Sequence, residues 1–124
     1  MLTYFFVALG GALGAVFRFS LSSWIFNRMG DHFPYGTFAV NIIGCFLLGL
    51  FYSLSIEKSV ISANVRTLVA VGMLGAFTTF STFSNESLVL IQEGQIQKGM
   101  LYIVASVLMG LLAVWLGHVT SKLF

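Results

Sequence analysis

Between Gly72 and Glu86 the chain carries a run of side chains that a lipid-facing helix does not need. Phe77, Phe80 and Phe83 recur at three-residue intervals, and Thr78, Thr79, Ser81, Thr82 and Ser84 place five hydroxyls beside Asn85 and Glu86. An aromatic ring is positive at its edge and negative on its face. Ring edges beside hydroxyl donors suit a small, hard anion, whereas a large cation prefers ring faces. The competing reading is a packing stripe whose hydroxyls bond back to their own helix, and a single Phe or Ser would be read that way. The whole run, set in an otherwise apolar protein, points instead to ion handling. Gly75, with Thr78 and Thr79 soon after it, marks a place for the helix to break. Irregular backbone at membrane depth survives only when buried in protein or lining a cavity, and freed carbonyls and N–H groups are the material of ion sites.

Other polar residues stand apart from this run. Asn41 is read either as an interhelical hydrogen bond or as an amide donor to an anion. Arg18 either snorkels to the near interface or draws anions into a vestibule. Glu86 is the one carboxylate well inside an apolar segment; it caps or pairs with a hydroxyl, is protonated, or relays protons. Tyr102 and Ser106 lie at i and i+4 on one helical face and can continue a polar track. Trp24, Trp115 and His118 read as interface residues. No Ser-His-acid set or metal-ligand cluster has the spacing catalysis requires, so the sequence does not read as an enzyme.

The elements that must position these residues follow from composition. The 124 residues are 58% hydrophobic and 8% charged, with a mean hydropathy of +0.98. Ten charged side chains cannot solvate a globule of this size, and a disordered chain would have the opposite composition. The chain is therefore read as an all-α membrane protein. At roughly 20 apolar residues per span, it holds four spanning helices, expected at residues 2–26, 37–56, 65–91 and 99–119, and no soluble domain. Strands are not expected, because no segment alternates apolar and polar residues as a barrel strand does. The net charge of +2 and the absence of a basic cluster argue against nucleic acid as a partner. Cys45, the single cysteine, has no intrachain partner. No basic residue precedes the first apolar segment, so that segment is expected to stay in the mature protein.

Four spans put Lys58, Arg66 and Lys122 on one face, and Arg28 and Lys98 on the other with Arg18 near them. Orientation follows an excess of Lys and Arg on the cytoplasmic side, and here there is hardly any excess. Both a single fixed orientation and insertion in both orientations stay open. Glycines mark every span, with small-xxx-small pairs at Gly10/Gly14 and Ser106/Gly110. Such spacing predicts close helix packing, and a bundle this short predicts oligomerisation.

The run Gly72-x-x-Gly75-x-x-Thr78-Thr79-Phe80-Ser81-Thr82-Phe83-Ser84-x-Glu86 resembles the signature of the Fluc (CrcB) fluoride channels. Gly10-Gly11-x-x-Gly14-Ala15-x-x-Arg18 and Gly36-Thr37-x-x-x-Asn41-x-x-Gly44 carry the same resemblance, which covers essentially the whole chain. It implies an antiparallel, dual-topology homodimer in a bacterial inner membrane, with a broken third helix in each subunit and two pores that export toxic fluoride. Phe80 and Phe83 would be the ring pair of each pore, Asn41 the amide donor beside them, and Ser81 and Thr82 part of a hydroxyl track. Tyr102 and Ser106 would match polar residues of the fourth span, and Arg18 would be a vestibule residue. Gly75 and Thr78 would offer backbone carbonyls to a structural sodium ion at the dimer centre. Gly110 departs from the hydroxyl some members carry one turn on.

Two other readings compete. A small multidrug-type proton-coupled antiporter is also a compact four-span dimer, but it needs a membrane-embedded carboxylate, typically in span one. Span one here has Arg18 and neither Asp nor Glu. A non-transporting accessory subunit predicts no flux from the protein alone.

Overall fold

The computed structural model describes residues 1–124, all helical apart from short connections. Span one is Leu2–Met29 and span two Tyr35–Glu57. Span three covers Ala63–Gln92 in two halves, and span four is Ile96–Ser121. All four are long and apolar enough to cross a membrane, which makes the chain a multi-pass membrane protein. They run a few residues beyond the stretches expected from sequence, because polar end residues such as Arg28 and Gln92 continue the helical turns.

The ends of the helices follow local chemistry. Gly30, at φ 76° and ψ −161°, takes a positive-φ conformation open to glycine that ends span one, and its N–H donates to the Phe26 carbonyl at 2.8 Å. Pro34 then opens span two, where a missing N–H costs nothing. The Ser62 hydroxyl accepts from Val65 N and caps span three. On the other face Gly94, at φ 80°, turns the chain into span four.

Lys58 Nζ donates to the carbonyl of Phe124, and Lys98 Nζ to that of His32, each at 2.7 Å. The second connection thus shares a face with the C-terminus, and the start of span four shares the other with the first connection.

Packing pairs span two with span four, and span one with the first half of span three. Both contacts bring backbone onto backbone. A Cβ on Gly14 would collide with the Met73 carbonyl, and one on Gly117 with the Phe46 carbonyl. In lipid this close approach supplies the dispersion contact that a hydrophobic effect between helices cannot. Only 20 of 124 residues are buried. Large apolar side chains such as Phe19 and Leu111 are therefore left facing outward, toward lipid or another protein surface.

The first half of span three is not a uniform α-helix. Thr67–Leu74 is π-helical, between α-helical Ala63–Arg66 and Gly75–Phe77. Its wider turns lie where the helix passes Gly10 and Gly14 of span one. π-helical turns are rare and occur mostly at functional sites.

Candidate functional site: the interruption of span three

The helix breaks at Thr78 and Thr79, both extended, at φ/ψ −86°/158° and −148°/119°. Gly75 itself stays helical, at −61°/−39°, so the glycine precedes the break and the threonines form it. β-branched Thr accepts extended backbone readily, and Thr79 starts the next half, Phe80–Gln92, by accepting from Thr82 N at 3.2 Å.

Several of the groups freed at the break are taken up by named partners. In a continuous helix Thr79 N–H would bond the Gly75 carbonyl; here it donates to Asn41 Oδ1 at 2.7 Å. Asn41 Nδ2 in turn donates to the Thr79 carbonyl at 3.1 Å. One amide side chain of span two therefore serves both polar groups of one extended residue. The Phe80 N–H would bond the Ala76 carbonyl, and Arg18 Nε takes that place at 3.0 Å. Of the two readings of Asn41, the structure displays the interhelical bond, which leaves one N–H of the amide free. Arg18 is half-buried and bonded at the break rather than snorkelling.

Gly44, one helical turn beyond Asn41, makes the approach of span two to the break feasible. A Cβ there would collide with the Thr78 methyl and lie 3.1 Å from the Phe77 ring. Phe77 is accordingly buried, as a packing residue.

Phe80 is 79% exposed on the isolated chain, whereas Phe83 is half-buried. Their ring centroids are 5.8 Å apart and their planes inclined by 53°. Phe83 meets Tyr102 edge-to-face at 5.1 Å. Tyr102 is fully buried and its hydroxyl donates to Glu86 Oε1 at 3.1 Å, the hydroxyl partnership that was one reading of Glu86. Ser106 Oγ is buried without any hydrogen-bond partner, a condition that costs about 1–3 kcal/mol in a packed interior. Gly110, one turn on, has no hydroxyl and faces Cys45 Sγ. Ser81 is exposed and Thr82 half-buried; both hydroxyls gather at Thr79 Oγ1, at 3.4 and 3.1 Å.

Two adjoining cavities border the break. The smaller, of about 350 Å³, includes Arg18, Thr79 and Thr82 in its lining. The larger, of about 580 Å³, opens among Asp31, Phe33, Asn85, Glu86 and Glu93. Ser22, Ser23 and Thr37 line both, so polar surface runs from the end of the bundle to the break. Ser22, Ser23 and the backbone role of Thr79 were not singled out from sequence, and Thr37 stood there only as part of the span-two motif, without a role. The adjacent serines in an apolar span were the available signal.

Oxygen donors are also present for a cation. The Gly75 carbonyl loses its helical donor because Thr79 N–H turns to Asn41, and the Thr78 carbonyl loses its own because Thr82 N–H turns to Thr79 Oγ1. Carbonyl oxygens at the C-terminal end of a half-helix suit a hard cation such as sodium. The residues fit that ion.

Fold and site define a small four-span membrane protein whose third helix is interrupted among hydroxyls, an amide and aromatic rings. The family described as CrcB-like protein, Camphor Resistance (CrcB), matches residues 5–118, and the chain belongs to that family. A fluoride-specific ion channel FluC of Acidobacterium capsulatum is 48% identical over 119 residues, which is 96% of this chain and 95% of the relative. Proteins of the same name from Shewanella woodyi and Geotalea daltonii are 50% and 44% identical, covering 91% and 98% of this chain and 90% and 98% of their own lengths.

Proposed function

We propose that this protein is a fluoride-specific ion channel of the bacterial inner membrane, working as an antiparallel homodimer with two pores that export fluoride from the cytoplasm. Family membership together with the name of its relatives supports the fluoride reading and not the antiporter. The observation that carries the mechanism is the break at Thr78–Thr79, tied by Asn41 and Arg18 beside an exposed Phe80.

Permeation is passive. Fluoride exchanges water for ring edges of Phe80 and Phe83 and for hydroxyls of Ser81, Thr82 and Ser106, together with the spare N–H of Asn41, while Tyr102, whose hydroxyl donates to Glu86, contributes its ring. Many weak donors in series let the ion enter and leave, because no single site holds it strongly. Arg18 raises the positive potential near the break. A sodium ion on the Gly75 and Thr78 carbonyls would add a fixed positive charge at the centre of the dimer. The exposure of Phe80 supports the homodimer, since a second copy would cover it and complete the pore. The near balance of basic residues between the two faces supports antiparallel insertion.

The test is ion efflux from liposomes that contain only this protein, comparing fluoride with chloride. Fluoride release with chloride retained is the expected result. No fluoride release, or equal release of both, contradicts it. Cross-linking of copies labelled on opposite faces tests the assembly, and a uniformly oriented population contradicts the antiparallel arrangement.

A further inference from the structure

The connection between spans one and two carries a ring that none of the roles above uses. Phe33 lies in that short connection yet is half-buried. It meets Tyr102 edge-to-face, with ring centroids 5.3 Å apart and planes at 81°. The backbone holds it there from both sides. Tyr35 N–H donates to the Phe33 carbonyl at 2.7 Å in a tight turn, and Lys98 Nζ of span four takes the neighbouring His32 carbonyl. Phe80, Phe83, Tyr102 and Phe33 therefore form one unbroken series of ring contacts, at 5.8, 5.1 and 5.3 Å, drawn from three separate elements. Phe33 also lines the larger cavity with Glu86, the acceptor of the Tyr102 hydroxyl.

Tyr102 has two constraints besides its own helix: the hydroxyl bond to Glu86, and the rings packed against it. An edge-to-face pair has a preferred geometry, so a ring at position 33 fixes where the Tyr102 ring sits in a way an aliphatic side chain cannot. We infer that Phe33 is a positioning residue of the ion path, acting through Tyr102 by holding its ring against Phe83 and its hydroxyl on Glu86. The inference rests on the fluoride-channel reading and adds the first connection to the parts that set the pore. Phe38 serves as an internal control. Its ring meets that of Phe33 edge-to-face at 6.3 Å, whereas the ring pairs of Tyr102 are with Phe33 and Phe83.

The experiment is fluoride efflux from liposomes for the whole protein carrying Phe33→Leu, Phe33→Tyr or Phe38→Leu, with Phe33→Met as a second variant should the leucine protein fail to fold. Phe33→Leu or Phe33→Met slows efflux roughly two- to tenfold, the worth of one aromatic pair. Phe33→Tyr restores the rate, and Phe38→Leu leaves it near wild type. In a Tyr102→Phe background, which lacks the hydroxyl being positioned, Phe33→Leu has a smaller effect. Wild-type rates in Phe33→Leu and Phe33→Met, an equal loss in Phe38→Leu, or an undiminished effect in the Tyr102→Phe background each overturns the inference while leaving the channel reading intact. Absence of fluoride efflux from the wild-type protein removes that reading and this inference with it.

Discussion

The two halves of span three solve the same problem by opposite means. The first half, Ala63–Phe77, is apolar and keeps its backbone hydrogen bonds largely within its own turns, widening to a π-helix where it lies against the glycines of span one. The second half, Phe80–Gln92, carries the hydroxyls and begins where Asn41 of span two and the adjoining Thr79 hydroxyl take up backbone N–H groups that the break leaves open. In hydrocarbon an unpaired peptide group costs several kcal/mol. A helix can therefore be interrupted there only if replacements are built into neighbouring spans. Asn41 and Arg18 are those replacements, and the exposed ring and hydroxyls beyond them are what the interruption makes available.

This contrast can be broken from either side. The largest expected effect is at Asn41. Replacing it by Leu leaves both the N–H and the carbonyl of Thr79 unpaired, a loss of about 2–6 kcal/mol at 1–3 per group. Thermal unfolding in detergent should show a lower midpoint and liposome efflux should vanish; an unchanged midpoint would mean that the break holds without its clamp. Two smaller effects of similar size come next, the first from Gly14→Val, which drives a side chain into the Met73 carbonyl. Overpacking of this kind costs about 1–3 kcal/mol. It should reduce the yield of monodisperse protein, whereas normal yield and midpoint would show that the first half can shift away. Arg18→Met removes one charged donor from the Ala76 carbonyl, worth about 1.5–3 kcal/mol. Its loss should exceed that of Arg18→Lys, which keeps a cation within reach of the break. Equal losses would tie the effect to guanidinium geometry rather than to charge. Smallest for the stability of the subunit is Phe80→Ile, since within the chain the ring is left largely uncovered and takes little part in its packing.

How much of this was legible in the sequence depends on the range of the interaction. The four spans were, because apolar length is a local property, and so was the crowding of polar groups around the threonines. The exact break was not. Gly75 draws attention because glycine is a poor helix former, yet it stays helical, and the chain opens three residues later where Asn41 and Arg18 can reach. Those partners lie 38 and 58 residues away in the chain, and no local pattern announces them. The π-helical turns were illegible for the same reason, since they lie where another helix presses on the backbone. Phe77 sits in the same three-residue rhythm as Phe80 and Phe83, but packing over Gly44 makes it a core residue while Phe80 stays exposed.

The central claim is that the rings and hydroxyls at the break carry the ion rather than hold the fold. The most direct test measures fluoride efflux and thermal unfolding side by side for the wild-type protein and Phe80→Ile. The account predicts an unchanged unfolding midpoint with efflux reduced by an order of magnitude or more, about the loss of one contact to a charged group. Wild-type efflux from Phe80→Ile, or loss of efflux only in step with unfolding, would contradict it.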